Sequence, residues 1–566
     1  MQCGPHEVDR GDVFGDVGAA RNRHPHRFPP PMKHYPVLIV GAGPVGMALA
    51  AELARYRVNC LLVEQSDGSI DHPRASAFNA RTMEFCRRWG LADKVREVGT
   101  PPDFPHDSIY CTSLTGHLIA RIARPGHGGG AAALPFTPER PQRCNQLWFN
   151  PVMRDYVQGL ETVEFRLRCR LDDFEEGADG VTATLTDLEA GTTGQVTADY
   201  VVACCGGRSA VARALGVRLD ESTVLSHSIN IFFRVPELWT LHDKGKAALN
   251  FFIGPDGMWG GMTAQDGREH WRLTLHGTEH YVDPKEVDAE AQIRRLYGGD
   301  FPHELINVVA WARREWVHDC FRRGRLILAG DAAHQNSPTG GFGMNTGVCD
   351  AVDLGWKLWA VIAGWGGGGL LESYEPERRP VALRNVGEAA ENFRRYTLPD
   401  TSDVLDDGPK GEALRARLGR ELTESQSRMI LTDGIALGYR YEESPIVVAD
   451  GTPEPPDPPG AYTPTARPGH RAPHGWLAGG HSAIDLFGRG FVLLRLGGRA
   501  PTAGDIGAAA RARGVPLDIV AVTEPALCAL YERPLVLVRP DGHVAWRGDS
   551  MPDDAGALID RVCGRG

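Results

Sequence analysis

The sequence predicts an α/β protein with a parallel-sheet domain, an antiparallel sheet inserted into that domain, and a smaller C-terminal α/β domain. Three observations support this prediction. A strand–helix–strand pattern begins near residue 36, alternating strands follow between about 225 and 277, and a proline-rich stretch separates a last strand–helix pattern from the rest. A chain of 566 residues is also too long to fold around one hydrophobic core.

Composition and charge exclude several kinds of partner. The formal net charge is -11, from 61 Lys and Arg against 72 Asp and Glu, and no long basic block offsets it. We therefore expect no nucleic-acid partner. The sequence holds no run of 18 apolar residues, and its first 33 residues lack the apolar core of a signal peptide, so we expect a cytoplasmic protein without a membrane segment. The cysteines lack zinc-ligand spacing, and we expect no metal site.

The first ordered elements form a predicted βαβ unit, which follows a Gly-, Pro- and His-rich stretch, residues 1–33, that we interpret as a disordered tail. Pro36–Val40 is a short apolar run typical of a buried parallel strand. A glycine-rich turn and a helix from Met47 to Arg57 follow, and Cys60–Glu64 is predicted as the second strand.

The glycine-rich turn has the Gly41-x-Gly43-x-x-Gly46 spacing of a dinucleotide-binding fingerprint. The first glycine allows a tight turn, the second lets a pyrophosphate approach the backbone, and the third lets helix and strand pack closely. The helix N-terminus adds partial positive charge, and the acidic residue at the end of the second strand suits a ribose diol. The motif alone does not distinguish NAD from FAD. The predicted cofactor contacts are Gly41, Gly43, Pro44, Val45, Gly46, Glu64 and Gln65.

The middle of the chain, residues 216–304, is predicted as the inserted antiparallel sheet. In Ser228–Val235 apolar residues alternate with others along a strand, and three further strand-like runs follow between turn sequences. The parallel-sheet domain, residues 34–215, then resumes in residues 305–400 with a strand ending at Asp331 and a helix from about Met344 to Trp365.

Three segments complete the predicted organisation. Residues 401–444 form a helical connection, and residues 445–473 hold nine prolines, which exclude helix and central strand and predict an extended linker. In residues 474–566 the order strand, helix, strand, short helix, strand, strand, helix resembles a thioredoxin fold. Its cysteines are isolated, so we assign this domain a role in packing or in supporting a dimer.

A second motif identifies the cofactor. Gly330-Asp331-Ala332-Ala333-His334 is followed by Ser337-Pro338-Thr339-Gly340-Gly341-Phe342-Gly343-Met344-Asn345, and an ordinary NAD dehydrogenase has no use for it. At these residues the chain resembles the aromatic hydroxylases among the flavoprotein monooxygenases, which include para-hydroxybenzoate hydroxylase and phenol hydroxylase. The resemblance covers about residues 35–400, and the thioredoxin-like domain resembles phenol hydroxylase in particular. It implies a Rossmann-like FAD-binding domain.

The resemblance implies roles for individual residues. Asp331 would hold the ribityl chain of FAD, and residues 338–345 would wrap the isoalloxazine ring, where a helix N-terminus favours the anionic reduced flavin. Arg74 and Gln146 match residues that contact the flavin, and His334 matches part of the loop scaffold. The implied contacts of the second motif are Pro338, which is also a catalytic candidate, and Gly341, Gly343, Met344 and Asn345.

One departure from the family concerns reduction by NADPH or NADH. Members usually carry an Asp-Gly pair followed by an arginine, which touch both FAD and the nicotinamide cofactor. This chain has Cys205 and Ala212 at those positions, and a neutral thiol is a poor substitute for a carboxylate acceptor. Either Arg208 or Arg213 compensates, or coenzyme use is altered.

The predicted function is an FAD-dependent monooxygenase that hydroxylates a phenolic or polycyclic aromatic substrate with O2, through a flavin C4a-hydroperoxide, after reduction by NADPH or NADH. Two alternatives stay open: a Baeyer-Villiger, epoxidase or oxidase outcome, and a flavin-binding protein impaired in NAD(P)H use. A homodimer fits the family. We expect His227 to be a candidate base for a phenolic proton, and the substrate to lie against Asn230, Phe232, Asn250, Phe252 and Trp259.

Overall fold

The computed structural model describes residues 32–124, 134–207, 209–216, 224–278, 280–395, 398 and 400–566. The predicted N-terminal tail lies outside these residues except for its last two, and Lys33 already begins the first strand. Among the described helices we find none with the length and apolarity that crossing a bilayer requires.

The first part of the chain alternates strands and helices as its βαβ pattern predicts. Its elements in chain order are β1 (Lys33–Val40), α1 (Pro44–Arg55), β2 (Cys60–Val63), β3 (Ala77–Phe78), α2 (Ala80–Arg88), α3 (Ala92–Val98), β4 (Ser108–Cys111), β5 (Leu118–Ile122), β6 (Gln142–Arg143), α4 (Gln146–Gln158), β7 (Val163–Arg166), β8 (Cys169–Glu176), β9 (Val181–Asp187), β10 (Thr192–Ala203) and α5 (Ala210–Ala214).

The middle of the chain is rich in strands, and helices dominate after it. The elements that follow are β11 (Val224–Arg234), β12 (Leu249–Gly254), β13 (Gly257–Ala264), β14 (His270–Thr278), α6 (Ala289–Tyr297), β15 (Glu304–Arg314), β16 (Trp316–Val317), β17 (Arg322–Arg323), β18 (Leu326–Leu328), β19 (His334–Gln335), α7 (Gly343–Ile362), α8 (Gly369–Glu372), α9 (Tyr374–Arg394), α10 (Pro409–Ile430) and α11 (Asp433–Leu437).

The parallel sheet has the strand order β17-β18-β10-β1-β2-β7, and β18, β10, β1, β2 and β7 pair in parallel. The apolar end of β1, Val37–Val40, is buried on both faces, with α1 and α7 covering one of them. This arrangement confirms the Rossmann-like domain. The carboxyl ends of its central strands open onto the glycine-rich turns that form the site.

The second sheet has the order β15-β11-β14-β13-β12-β4-β5 and is wider than the range predicted for it, residues 216–304. Two of its strands, β4 and β5, come from the first segment assigned to the parallel-sheet domain, and β15 extends into the second segment. Strand β4 pairs in parallel with β12, more than a hundred residues away. Such a pairing has no local pattern, because it needs a long crossover rather than a hairpin.

The C-terminal domain contains β20 (Phe491–Leu496), α12 (Gly504–Ala512), β21 (Leu517–Val522), α13 (Pro525–Tyr531), β22 (Leu535–Val538), β23 (Val544–Gly548) and α14 (Ala555–Val562). Its sheet has the order β21-β20-β22-β23, parallel between β20 and β21 and antiparallel elsewhere. That topology confirms the thioredoxin-like fold.

The proline-rich segment, residues 445–473, holds turns and irregular backbone with no helix or strand, and it packs against folded parts along its length. Ile446, Ala466 and Ala472 are buried, and the backbone N–H of Val448 donates to the carbonyl of Ala545 at 2.8 Å. Proline excludes regular secondary structure without preventing burial of apolar side chains. The segment therefore fastens the C-terminal domain to the rest of the molecule.

Candidate active site

The two glycine-rich motifs meet at Val45. A Cβ atom added to Gly330 would lie 2.8 Å from the Cγ2 atom of Val45, and one added to Gly347 would lie 2.6 Å from the same atom. The first turns of α1 and α7 therefore pack against each other with only glycine between them. Both helix N-termini border one cleft, as the resemblance implies.

The three glycines of the first motif differ in what surrounds them. Gly41 has φ +103°, and a Cβ at Gly46 would stand 1.9 Å from the carbonyl oxygen of Gly41. A Cβ at Gly43 would meet no atom within 4 Å. Gly41 and Gly46 thus shape the turn and its packing, whereas Gly43 leaves open space before Pro44, the first residue of α1. A pyrophosphate fits this space beside unpaired helix N–H groups.

Glu64 is fixed at the edge of the same cleft. Its Oε2 atom accepts a hydrogen bond from the N–H of Ala42 at 2.9 Å, and its Oε1 atom accepts from the N–H and the hydroxyl of Ser66 at 2.9 and 2.8 Å. Gln65 beside it is exposed. These contacts orient the carboxylate and leave it acceptor capacity for a ribose hydroxyl.

Asp331 opens into the cleft from a short 3-10 turn at Gly330–Ala332. Its side chain is accessible from the cleft but has protein on most other sides. This surrounding protein raises the pKa of the Asp331 carboxyl, whereas the nearby His334 and Arg74 lower it. Arg74 is itself exposed. The structure thus brings Asp331 and Arg74 to the same region.

The Asp331 turn is anchored from behind by a buried ion pair that the sequence interpretation missed. Asp350 of α7 accepts hydrogen bonds from the N–H of Gly330 at 3.1 Å, from Nε2 of His334 at 2.8 Å and from Nε of Arg378 at 2.7 Å. Burial would raise the pKa of Asp350, but Arg378 and His334 hold it at about 2. His334 therefore belongs to the scaffold that supports the loop. The sequence signal for this ion pair was Asp350, a charged residue in a mainly apolar helix.

Residues 338–345 form a loop held against the segment around Ala77. Gly340 and Gly341 have φ of +100° and +71°, and a Cβ at Gly341 would lie 2.9 Å from the Cβ of Ala77. The Nδ2 atom of Asn345 donates to the carbonyls of Ala77 and Gly341 at 2.8 and 2.7 Å. The backbone of this loop therefore passes close to its neighbours and to the cleft, where Pro338 is exposed.

The remaining predicted contacts of the loop lie at the start of α7. Gly343 is the first residue of this helix, which confirms the predicted helix start, and its Cβ position would be 3.9 Å from Oδ1 of Asp331. The Nε2 atom of Gln146, the first residue of α4, lies 3.7 Å from the sulfur of Met344. The structure thus brings Gln146 to the second motif.

Cys205 lies against the glycine-rich turn, because a Cβ at Gly41 would be 2.7 Å from the Cα atom of Cys205. The surrounding chain raises the pKa of this thiol, so it stays neutral near pH 7. Ala212 is buried in α5, and Arg213 beside it is exposed. Arg208, the other residue considered as a compensating charge, lies outside the described residues.

One face of the second sheet is turned toward the cleft. On β11 this face carries Asn230 and Phe232, and on β14 it carries Thr274 and Arg272. The hydroxyl of Thr274 donates to Oδ1 of Asn230 at 2.8 Å, and the Nη1 atom of Arg272 lies 3.3 Å from the carbonyl oxygens of Pro73 and Arg74. Asn230 and Phe232, two of the predicted substrate residues, therefore share the face that is turned toward the cleft.

The other predicted substrate residues lie on the opposite face, and this part of the interpretation is corrected. Phe252 and Trp259 stack on each other with ring centroids 5.2 Å apart, in the core between the sheet and α6. Asn250 lies on the same face of β12 as Phe252. His227 lies on the same face of β11 as the core residue Ile229, and its ring contacts the ring of Tyr281. Alternation in a strand defines two faces but does not say which one meets a cofactor.

Two partly buried arginines beside the cleft were also missed. Arg143 of β6 and Arg272 of β14 both have a pKa lowered to about 10 by burial, and each keeps an Nε atom without a hydrogen-bond partner. Within the described part of the chain neither forms an ion pair. They are unusual because they form no ion pair with an acidic residue, and the sequence does not reveal which residues lie close together in the fold.

Comparison with known proteins agrees with this geometry. A family model described as "FAD binding domain" matches residues 34–389, and one described as "Aromatic-ring hydroxylase, C-terminal" matches residues 465–566. The FAD-dependent monooxygenase apdD of Emericella nidulans is 31% identical over 93% of this chain and 90% of its own length. The tetracenomycin B2 monooxygenase-dioxygenase of Streptomyces olivaceus is 32% identical over 94% of this chain and 98% of its own.

Solved structures are similar over the same extent. RebC, soaked with chromopyrrolic acid and holding 7-carboxy-K252c, is 43% identical with a TM-score of 0.88 and covers 94% of this chain and all of its own. A ternary complex of aklavinone-11 hydroxylase with FAD and aklavinone is 29% identical with a TM-score of 0.77, covering 94% of this chain and 99% of its own. The chain belongs to the FAD-dependent aromatic-ring hydroxylases, and it is a flavoprotein monooxygenase whose cofactor is FAD.

Proposed function

We propose that this monooxygenase inserts one atom of O2 into a polycyclic aromatic substrate that carries a carboxylate. In the overall reaction the substrate C–H becomes C–OH, the second oxygen atom leaves as water, and NADPH or NADH supplies two electrons. The partly buried charge of Arg143 and Arg272, which no acidic side chain of the described residues neutralises, is the observation that carries the proposal.

Two desolvated guanidinium groups without an acidic partner are costly to the folded protein, and an anionic ligand removes that cost. Arg272 neighbours Phe232 in the register of β14 with β11, so a ligand carboxylate held there would lie next to an aromatic wall. Arg143 is 3.5 Å from the hydroxyl of Ser76, one residue before the segment that holds the flavin loop. A planar guanidinium binds a carboxylate through two parallel hydrogen bonds, which fixes the direction of the ligand.

The names of similar proteins support the same class of substrate. RebC is described with chromopyrrolic acid and 7-carboxy-K252c, which are acids, and other relatives act on tetracenomycins or bind aklavinone. RebC structures hold polycyclic ligands both with a carboxy group, 7-carboxy-K252c, and without it, K252c, so a polycyclic skeleton is common to them and the carboxylate is the feature to be tested.

The residues of the cleft fit FAD. The open space at Gly43 and the first turn of α1 would receive the pyrophosphate, Glu64 the ribose, and Asp331 the ribityl hydroxyls. Residues 338–345 and the N-terminus of α7 would surround the isoalloxazine ring. Bound FAD, once reduced, supplies the activation of O2. The protein holds the substrate by its carboxylate, presents one ring position, and excludes water from the cleft.

The decisive experiment titrates FAD-loaded protein with chromopyrrolic acid and with K252c, which lacks the 7-carboxy group, while flavin absorbance is recorded. We expect Arg272→Met and Arg143→Met to weaken binding of the acid about 100-fold and binding of K252c about tenfold or less. Equal loss for both ligands, or none, would refute the carboxylate assignment. Incubation with a nicotinamide cofactor and ¹⁸O2 then tests oxygen insertion by product mass.

Cys205 and Ala212 favour a second candidate, a flavoprotein that NADPH and NADH reduce slowly. Stopped-flow bleaching of the flavin by each coenzyme, with and without chromopyrrolic acid, separates the two. Rapid bleaching with either coenzyme supports the NAD(P)H-dependent monooxygenase. If the wild-type flavin bleaches slowly and the Cys205→Asp variant bleaches rapidly, the second candidate is supported.

We further propose that the protein works in the cytoplasm as a homodimer. The cysteines of the described residues are unpaired thiols, as expected in a reducing compartment that also supplies FAD and nicotinamide coenzymes. Native mass spectrometry of the purified protein tests the dimer, and fractionation of the source cells tests the compartment.

A further inference from the structure

The cleft-facing side of the sheet continues beyond Phe232 toward the other end of β11. Side chains along a strand alternate between its two faces. Ile229, Ile231 and Phe233 are buried in the core on the opposite face, so Ser228 lies on the same face as Phe232. On β15 the residue paired with Ser228 is Trp311. Side chains directly opposite in an antiparallel pair have Cβ atoms about 5 Å apart, so these two form one patch.

Both members of this patch carry a buried polar atom without a hydrogen-bond partner. Ser228 is 3% exposed, and neither its Oγ atom nor the Nε1 atom of Trp311 has a partner. Asn336 is likewise unpaired at both polar atoms of its side-chain amide. It follows Gln335, which accepts a hydrogen bond from the indole of Trp316, and it lies two residues before Pro338. Buried polar groups in folded proteins are almost always paired, so an unpaired group calls for an explanation.

The neighbouring polar pair on the same face has no such deficit. Asn230 and Thr274 bond to each other at 2.8 Å. The face can therefore satisfy its own polar groups where no ligand is needed. The unpaired atoms of Ser228 and Trp311 are confined to one end of it.

This end lies well away from Arg272. Ser228 precedes Phe232, the strand partner of Arg272, by four residues, which corresponds to about 13 Å along a β-strand. A fused polycyclic skeleton of several rings bridges a distance of this order. A ligand anchored at Arg272 would therefore bring its far end to Ser228 and Trp311.

We propose that Ser228 and Trp311 form a second substrate subsite, which donates hydrogen bonds to a carbonyl or phenolic oxygen at the end of the substrate remote from its carboxylate. The indole N–H is a donor only, and the serine hydroxyl can donate alongside it, so the matching ligand atom is an acceptor. This inference rests on the proposed function, since it assumes a polycyclic substrate held at Arg272. It adds a determinant of which end of the substrate faces the flavin.

The first test needs no ligand. In FAD-loaded protein without substrate, Ser228→Ala and Trp311→Phe remove unpaired donors, so we expect the thermal midpoint to stay constant or rise by roughly 1–2 °C. Thr274→Val is the matched control on the same face. It leaves Oδ1 of Asn230 unpaired and should lower the midpoint. If Ser228→Ala and Trp311→Phe lower it as much as the control does, the two donors are satisfied within the protein and the proposal falls.

The second test uses the two probes of the previous section. Trp311→Phe and Ser228→Ala should each weaken both chromopyrrolic acid and K252c by about tenfold, whereas Arg272→Met discriminates between them. Unchanged affinity for both probes in the Ser228 and Trp311 variants would overturn the subsite while leaving the carboxylate anchor intact. If wild-type protein binds neither probe, the proposed substrate class fails, and the midpoint measurements still decide whether these donors are unpaired.

Discussion

Two groups of buried charges in this molecule are treated in opposite ways. The interdomain cluster consists of Asp353 and Lys357 of α7, Glu377 of α9, and Arg539 and Asp541 of the C-terminal domain, all 0–3% exposed at their side chains. Every member has a partner: Lys357 reaches Asp353 and Glu377 at 2.8 and 2.6 Å, and Arg539 reaches Glu377 at 2.6 Å. The partly buried Arg143 and Arg272 beside the cleft have no acidic partner among the described residues, and their hydrogen bonds go to the neutral oxygens of Ser76, Pro73 and Arg74.

The contrast separates structure from function. A buried charge that the chain itself neutralises holds domains together, and here it fastens the thioredoxin-like domain to the two helices behind the flavin loop. A buried charge that the chain leaves unpaired reduces stability and is retained for a ligand. The predictions below test this division, from the largest expected effect to the smallest.

Removing a paired charge should be the most damaging change. Arg539→Met removes the guanidinium that contacts Glu377, Asp353 and Asp541, and breaking a buried pair in this way costs about 3–5 kcal/mol. We expect a correspondingly lower unfolding midpoint in urea, followed by tryptophan fluorescence of the FAD-loaded protein.

Arg533→Met is the control for this variant, because Arg533 pairs at 2.5 Å with the exposed Asp549 of the same domain. An exposed pair contributes about 1 kcal/mol or less. Equal effects of the two substitutions would mean that the interdomain cluster does not stabilise the fold.

The same cluster should make stability depend on pH in a particular direction. Burial, with the negative charge of Glu377, raises the pKa of Asp353 to about 7 against the opposing charge of Lys357. A carboxyl with a raised pKa binds more protons in the folded state, so its contribution to stability falls as the pH rises from about 4 to 7. Relative to wild type, Asp353→Asn should gain up to roughly 1 kcal/mol per pH unit over this range. Urea midpoints at pH 4.5, 5.5, 6.5 and 7.5 measure the slope, and parallel curves would contradict it.

The distinction between residues that stabilise the fold and residues that serve a ligand also applies to the glycines of the first motif. A Cβ at Gly46 would collide with the backbone of Gly41, whereas one at Gly43 enters open space. Gly43→Ala should therefore leave the apoprotein's unfolding midpoint unchanged and weaken FAD binding at least about tenfold, near 1.4 kcal/mol. Gly46→Ala should instead prevent normal folding. FAD affinity, measured by fluorescence quenching on reconstitution, would be unaltered in Gly43→Ala if the pyrophosphate lay elsewhere.

Sequence was sufficient where a short motif has one physical meaning. The turn at Gly41 and the loop after Asp331 each combine glycines, a helix start and an acidic group, and the resemblance implied that both contact one FAD. The thioredoxin-like order was also local. Such features depend on neighbours within a few residues, so they survive without knowledge of the fold.

Sequence was insufficient where the outcome depends on distant neighbours. Phe252 and Trp259 alternate with others as any half-buried strand does, and only the placement of α6 decides that their face is the core. The pairing of β4 with β12 and the isolation of Arg272 from acidic groups are likewise properties of the assembled chain. Asp350, Asp353 and Lys357 were visible as charges in an apolar helix, but their partners Arg378 and Arg539 were not.

The smallest expected change is the most informative about Arg272. If its charge is kept for a ligand, Arg272→Met removes a partly desolvated guanidinium that has no acidic partner, at little cost to the free protein. The free energy of unfolding without ligand, measured by urea titration, should then stay within about 1 kcal/mol of the wild-type value or rise, in contrast to Arg539→Met. A loss as large as that of Arg539→Met would mean that the contacts of Arg272 with the carbonyls of Pro73 and Arg74 stabilise the fold. In that case lack of an ion pair would no longer mark a group reserved for substrate, and the carboxylate anchor would have to be sought at Arg143 alone.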